Sequence, residues 1–450
     1  MIIPAIKEKS ISKMKKIPYI SCILIIVLFG CKQKTDEVRL AAFCKNQLTQ
    51  WNRKLTRVII TDIFTPPVCS RIYAYCNIAA YEAMRGADTG YKTYAGILHD
   101  LTEVPQVSSA NKCFYSIAGI IAFSTAAQKL VFNKEAVVDM ENEYLGQLKT
   151  IVNDNDLVDK SVAFGRQVGN HITDWAAKDG YLQRTSRPGY IVNKQPGRWQ
   201  PTPPDYIDAV EPNWNTVRTF VLDSATQFVS PSPTKFDTVS GSQFYKEAME
   251  VYKAVNSKQH IDIAKFWDCN PNVSVTQGHV MYFQQKISPG GHWIHITASV
   301  TEKENYDELK KASVLSKVAI AIADAFISCW STKYTYSLLR PETYINKYID
   351  KDWKPLLQTP AFPEYTSGHS VASTSAAAML THLVGNNYSY IDSTEIIFGM
   401  PIKKYSSFEE AAHEACISRI YGGIHYMPAI NNGMEEGKKI GSYIISKLNK

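Results

Sequence analysis

A chain of 450 residues is long enough to bury a sizeable core in one large domain or two ordinary ones. Hydrophobic residues at 45% and charged residues at 20% exclude a disordered chain. The net charge of +7 is spread along the sequence without a dense Lys/Arg run, which excludes a nucleic-acid patch and leaves anionic partners unopposed.

The first element is an export signal. Lys15 and Lys16 precede an apolar run from Ile17 to Phe29, and Gly30-Cys31 follows. A basic n-region, a short apolar core and a small residue before the cut read as a secretory signal, and the run is short for a membrane span. Leu28-Phe29-Gly30-Cys31 resembles a bacterial lipobox, which implies lipidation of Cys31 and suggests Met14 as the true start. Residues 1–31 are thus expected to be a signal, 32–58 a tether with a surface helix, and 59–450 a single helical domain. The protein is expected to work outside the cytoplasm, touching a membrane (the outer one in a bacterium) only through its lipid.

Beyond the tether, 3.6-residue apolar spacing predicts helices near 70–85, 113–132, 134–152, 158–179, 242–256, 262–267, 305–332, 367–384, 407–420 and 431–448. Strand-like alternation is weak, so the fold class expected is all-α, a large helical bundle. Residues 180–235 carry many prolines and read either as a wall over a site or as a surface excursion. Seven cysteines follow Cys31 with no CxxC pair and no zinc spacing; Cys69 and Cys76 are near enough in sequence to bridge.

Three blocks carry chemistry, all within the signature part at 305–450. In Lys333-Tyr-Thr-Tyr-Ser-Leu-Leu-Arg340-Pro341, continuation of the helix through Trp330 puts Lys333 and Arg340 two turns apart on one face, and Pro341 ends the element. Two cations at one helix end call for an anion. In Phe362-Pro-Glu-Tyr-Thr366-Ser367-Gly368-His369, Thr366 or Ser367 stands at an N-cap, and the helix start beyond it offers free amides. Gly368 permits close approach, and His369 stands ready to move a proton. In Ser418-Arg419-Ile-Tyr-Gly422-Gly423-Ile-His425, a turn at the glycines brings a guanidinium fork and an imidazole to one point.

The spacing K-x6-RP, then SGH, then SR-x5-H resembles the signature of the superfamily that joins vanadium-dependent haloperoxidases with type 2 phosphatidic acid phosphatases and bacterial acid phosphatases. The resemblance implies that Lys333, Arg340, Ser367, the Gly368 backbone and Arg419 hold the oxygens of vanadate or phosphate. It implies His425 as vanadium ligand or phosphorus nucleophile and His369 as acid–base. Trp330, three residues before the lysine, matches soluble vanadium peroxidases. Thr366 departs from the proline usual before SGH. Phe362 stands where chloroperoxidases tend to carry an aromatic residue and bromoperoxidases a histidine, and one position decides no halide.

Asp268 is expected beside Arg419, with Asn270 as a rival for that place. Glu364 is read as a solvated helix-start residue or, as the alternative, a partner of a site residue; His292 and Trp293 are read as packing residues, and His382 and His413 as structural groups on apolar faces. The length and the expected export favour a vanadate-dependent peroxidase using hydrogen peroxide and halide. The alternative is a phosphatase that attacks a phosphate ester through His425 and needs no cofactor. A lipoprotein that merely captures phosphate needs neither His369 nor His425.

Overall fold

The structure is a computed structural model that describes residues 38–107, 113–152, 154–271 and 273–449. The expected signal, Met14 and the lipidation site Cys31 lie outside the described residues. Within them the chain is helical, in chain order α1 Gln47–Thr61, α2 Pro66–Met84, α3 Tyr115–Leu130, α4 Lys134–Ile151 and α5 Asn155–Ala176, followed by the proline-rich stretch. Then come α6 Gln243–Tyr252, α7 Lys258–Phe266, α8 Pro289–Lys303, α9 Glu308–Tyr336, α10 Pro341–Tyr348, α11 Gly368–Val384, α12 Phe408–Tyr421 and α13 Met427–Leu448. Two small antiparallel pairs complete it: β1 Val273–Gln277 with β2 Val280–Gln284, and β3 Tyr390–Asp392 with β4 Lys403–Tyr405.

Two helices form the axis of the core. Every residue of α2 is buried, and α9 packs along it. By length and composition α9 is the one helix among the described residues that could cross a membrane, yet it lies inside the protein with its polar groups answered. Asp324 accepts hydrogen bonds from the backbone N–H of Phe220, Val221 and Leu222 at 2.7, 2.8 and 3.0 Å. Ser328 donates to Glu436 at 2.8 Å. A helix apolar all round belongs in a core, and its few polar side chains must find partners there.

The proline-rich stretch is a clamp on the C-terminal end of α9. Val210 offers its carbonyl to Trp330 Nε1 at 3.3 Å and to Tyr334 Oη at 2.6 Å, and Trp199 N donates to Ser337 O at 2.7 Å. The expected single helix from Lys333 to Arg340 is interrupted here. Ser337 takes a left-handed conformation, φ 47°, and closes α9 with its N–H on Lys333 O at 2.8 Å. Pro341 starts α10 rather than ending an element, since proline lacks only an N–H that a first turn leaves unused. For the same reason α8 begins at Pro289 behind the N-cap Ser288, a helix the apolar spacing did not predict. Helix α1 reaches Thr61 and buries Leu48, Trp51, Leu55 and Ile59, so it belongs to the core rather than the surface.

Helices α11 and α13 pack on α9, and α12 packs on α11 and α7. At Gly437 a Cβ would come within 2.3 Å of the Val371 carbonyl oxygen, so α13 lies backbone to backbone on α11 only because that residue is glycine. Cys69 and Cys76 are both free and buried.

Candidate active site

Lys333 sits in the last turn of α9, wholly buried. Its ammonium donates to three carbonyls of one turn: Pro363 at 3.0 Å, Glu364 at 3.0 Å and Thr366 at 2.5 Å. All three N–H groups are therefore spent on the turn that leads into the Ser-Gly-His block. Arg340, the N-cap residue of α10, reaches the same turn from the other side. Its Nε donates to Phe362 O at 2.9 Å and its Nη1 to Ile424 O at 2.8 Å. Nη2 is buried without a partner. The two cations converge across the Ser337 turn, not along one helix face.

Ser367 is the N-cap of α11, its Oγ accepting from Ser370 N at 3.3 Å. The opening turn of the helix therefore presents backbone N–H groups to whatever faces it. Thr366, in place of proline, pins the turn by donating to Glu436 at 2.9 Å. Glu436 also accepts from Ser230 and Ser328, so one buried carboxylate ties the turn, α9 and α13 together. A Cβ on Gly368 would lie 3.4 Å from the Trp330 ring, against the cavity wall. His369 follows, hydrogen-bonded to the Trp267 backbone, while its Nε2 is buried and unpartnered.

The third block closes the cluster. Helix α12 ends at Tyr421, and Gly423 with φ 77° turns the chain back, as the glycine pair predicts. Arg419 donates from Nη2 to Trp267 O at 2.6 Å and from Nε to Ser418 Oγ at 2.9 Å. His425 Nε2 lies 3.2 Å from Arg340 Nη1, and Nδ1 lies 2.8 Å from Glu364 Oε1. Since the carboxylate accepts, the proton belongs on Nδ1, and the Nε2 lone pair faces the cluster, where it accepts from Arg340 Nη1.

Glu364 is not a solvated helix-start residue but takes the alternative role, partner of a site residue. It is fully buried and accepts from both His425 Nδ1 and the Tyr426 N–H, at 2.8 and 3.0 Å. Asp268 is also corrected: its ion-pair partner is Lys286, and it acts on Arg419 only as a nearby charge. His382 and His413 are exposed rather than set on apolar faces. Trp330 and Phe362 line the cavity with their rings 4.9 Å apart, and Phe362 lies under both cations, 5.1 Å from Lys333 Nζ and 4.9 Å from the Arg340 guanidinium carbon.

The cavity these groups surround is bordered by Trp330, Phe362, Gly368, His369, Arg419 and His425 together with Cys269 and Asn270. A larger cavity, about 680 Å³, lies away from it beside Lys303 and Tyr390 and is lined by none of Lys333, Arg340, Ser367, His369, Arg419 and His425. The electrostatics favour an anion. Burial pulls Lys333 down to about 8 and Arg340 to about 10, and lowers Arg419. Burial first, then the neighbouring cations, holds His369 and His425 well below the usual imidazole range. Burial pushes Glu364 up to about 7, with Arg340 and Lys333 opposing it. Three buried cations and one carboxylate make a site where charged forms are strained until negative charge enters. Unpartnered Arg340 Nη2 and the α11 amides are donors, and a compact group rich in oxygen acceptors suits them.

Residues 313–450 match the family model described as the second helical-bundle domain of VCPO. The chain is similar to a solved structure described as the first bacterial vanadium-dependent iodoperoxidase, at 42% identity over 89% of this chain and 95% of that one, with a TM-score of 0.84. A bacterial vanadium-dependent chloroperoxidase in its holo form is 16% identical over 86% and 93% of the two chains with a TM-score of 0.66, a likeness of fold alone. No curated protein matches the chain.

Proposed function

The chain belongs to the vanadium-dependent haloperoxidase family, and from that membership we propose that it is a vanadate-dependent enzyme oxidising halide with hydrogen peroxide, iodide being the halide. The observation that carries the reading is His425: its Nδ1 rests on a buried carboxylate, and its Nε2 lone pair faces the cavity, accepting from Arg340 Nη1, a contact that a ligand at Nε2 would replace. The donor set fits vanadate, because unpartnered Arg340 Nη2 needs an oxygen acceptor and a neutral imidazole suits a metal. Vanadate, when bound, supplies the Lewis-acid centre at which hydrogen peroxide is activated toward halide.

The chain's own groups divide the work. His425 binds through Nε2, with Glu364 fixing its ring and tautomer. Arg340, Arg419 and the amides at the start of α11, Gly368 among them, hold the oxygens. Lys333 and Ser367 build the turn that aims those groups, and the ammonium adds its charge. His369, kept neutral by burial and by Arg419, accepts a proton from peroxide at Nε2 and returns it to the leaving oxygen. The rings of Trp330 and Phe362 make an apolar wall that suits a large, weakly hydrated halide. The enzyme works outside the cytoplasm, on the signal read in residues 14–31, with Cys31 as its lipid anchor; a Cys31→Ser chain that stays membrane-bound argues against that anchor.

The test is an assay of iodide oxidation by purified protein with and without orthovanadate, with hydrolysis of p-nitrophenyl phosphate followed on the vanadate-free protein. Iodide oxidation that depends on vanadate is expected. Robust hydrolysis with no vanadate-dependent oxidation would overturn the assignment in favour of a phosphatase.

A further inference from the structure

At the Cys269 side of the cavity wall three side chains from distant segments meet. Cys269 follows α7, His292 lies in the first turn of α8, and Glu395 lies in a short 3-10 helix after β3. All three are buried and their ligand atoms lie within 4.8 Å of one another. Cys269 Sγ is 3.4 Å from His292 Nδ1, His292 Nδ1 is 3.0 Å from Glu395 Oε1, and Cys269 Sγ is 3.8 Å from Glu395 Oε1. The centre of a circle through those three atoms lies about 2 Å from each, close to the bond lengths of zinc to nitrogen and oxygen and slightly inside that to sulfur.

We propose that Cys269, His292 and Glu395 bind a divalent cation of the zinc class, at a site separate from the one formed around His425. The outer groups fit. His292 Nε2 is 2.7 Å from Asp392 Oδ2, and Asp392 Oδ1 accepts from Thr394 N at 2.9 Å, the carboxylate–histidine–metal arrangement that fixes a ligating imidazole. The His292 ring also stacks on Trp267, centroids 4.4 Å apart. A sulfur, a nitrogen and a carboxylate oxygen form a mixed set that favours zinc over magnesium or calcium.

The charges balance. Without metal, Asp392 and Glu395 face a protonated His292 and a neutral thiol, which burial pushes up to about 11. Metal binding expels one proton from Cys269 Sγ and one from His292 Nδ1. Two protons leave, one dication enters, and the net charge of the buried cluster is unchanged. A thiolate held by metal is also a thiol withdrawn from the oxidants the neighbouring cavity is proposed to make. The sequence hides this site because its ligands are 23 and 103 residues apart, with none of the spacings of zinc motifs.

The test uses the full chain without vanadate or a histidine tag. Zinc per chain is measured after dialysis, and Co²⁺ is then added to metal-free protein. One zinc per chain and a sulfur-to-cobalt charge-transfer band are expected. Cys269→Ala, which keeps the Asp392–His292 pair, should lose the band, and Asp392→Asn should weaken zinc binding about 10–100-fold. Wild-type protein that takes up Co²⁺ without a sulfur band, or takes up none, overturns the proposal whatever the variants do. So does zinc binding unchanged in Cys269→Ala.

Discussion

Glu364 Oε1 lies 2.8 Å from His425 Nδ1, and that contact decides which nitrogen of His425 faces the cavity. The same oxygen takes the Tyr426 N–H, so the carboxylate holds both the ring and the start of α13. Loss of this kind of ligand-orienting contact costs about 10–100-fold in metal affinity. Glu364→Gln should therefore bind orthovanadate about 10–100-fold more weakly, by equilibrium dialysis, with an unchanged far-ultraviolet circular dichroism spectrum. Affinity within about twofold of wild type would show that the ring is oriented by something else.

Arg340 donates to two carbonyls and to His425 Nε2 and leaves Nη2 for an incoming oxygen. A lysine at that place keeps charge and loses the planar fork. Arg340→Lys should lower kcat for iodide oxidation by about 100- to 1000-fold, the range for removing one preorganised donor to a developing oxyanion. A loss confined to KM would place Arg340 in substrate binding alone.

Lys333 gives a pH signature. Burial holds it near 8, and only the protonated form can donate to three carbonyls and contribute its charge. The protonated fraction falls as pH rises through about 8, so orthovanadate affinity of the anion-free protein should fall on that side. Bound anion favours the charged form, so the loaded enzyme should keep its activity to higher pH. Lys333→Met should bind weakly at every pH and lose this limb. The ratio of wild-type to variant affinity, by titration calorimetry, removes the anion's own titration; a ratio flat in pH would contradict the assignment.

Asp324 holds the proline-rich clamp by accepting three backbone N–H groups. Asp324→Ala leaves those donors buried and unsatisfied, at about 1–3 kcal/mol each. We expect a loss of at least about 3 kcal/mol in urea unfolding. A change under about 1 kcal/mol would mean that the 220–222 segment is anchored elsewhere.

Much of the site is legible in the sequence because its parts are local. Ser367 as N-cap and the turn at Gly422-Gly423 follow from rules that act over a few residues, and the structure has both. What the sequence hides depends on distant partners. Glu364 looks like a helix-start carboxylate until the fold sets it on a histidine 61 residues away. Asp268 stands next to Trp267, whose carbonyl takes Arg419, yet its own partner is Lys286. Pro289 and Pro341 each open a helix, and at Pro289 the signal was present in Ser288 as N-cap. The broken path from Lys333 to Arg340 carries no local mark at Ser337, whose left-handed turn is fixed by the 180–235 clamp.

The most direct measurement is orthovanadate binding to wild-type protein and to His425→Ala, by equilibrium dialysis with vanadium counted per chain. One vanadium per wild-type chain, displaced by phosphate, and loss of binding in the variant are the predicted result. A His425→Ala chain that retains stoichiometric vanadate and iodide oxidation would contradict the account.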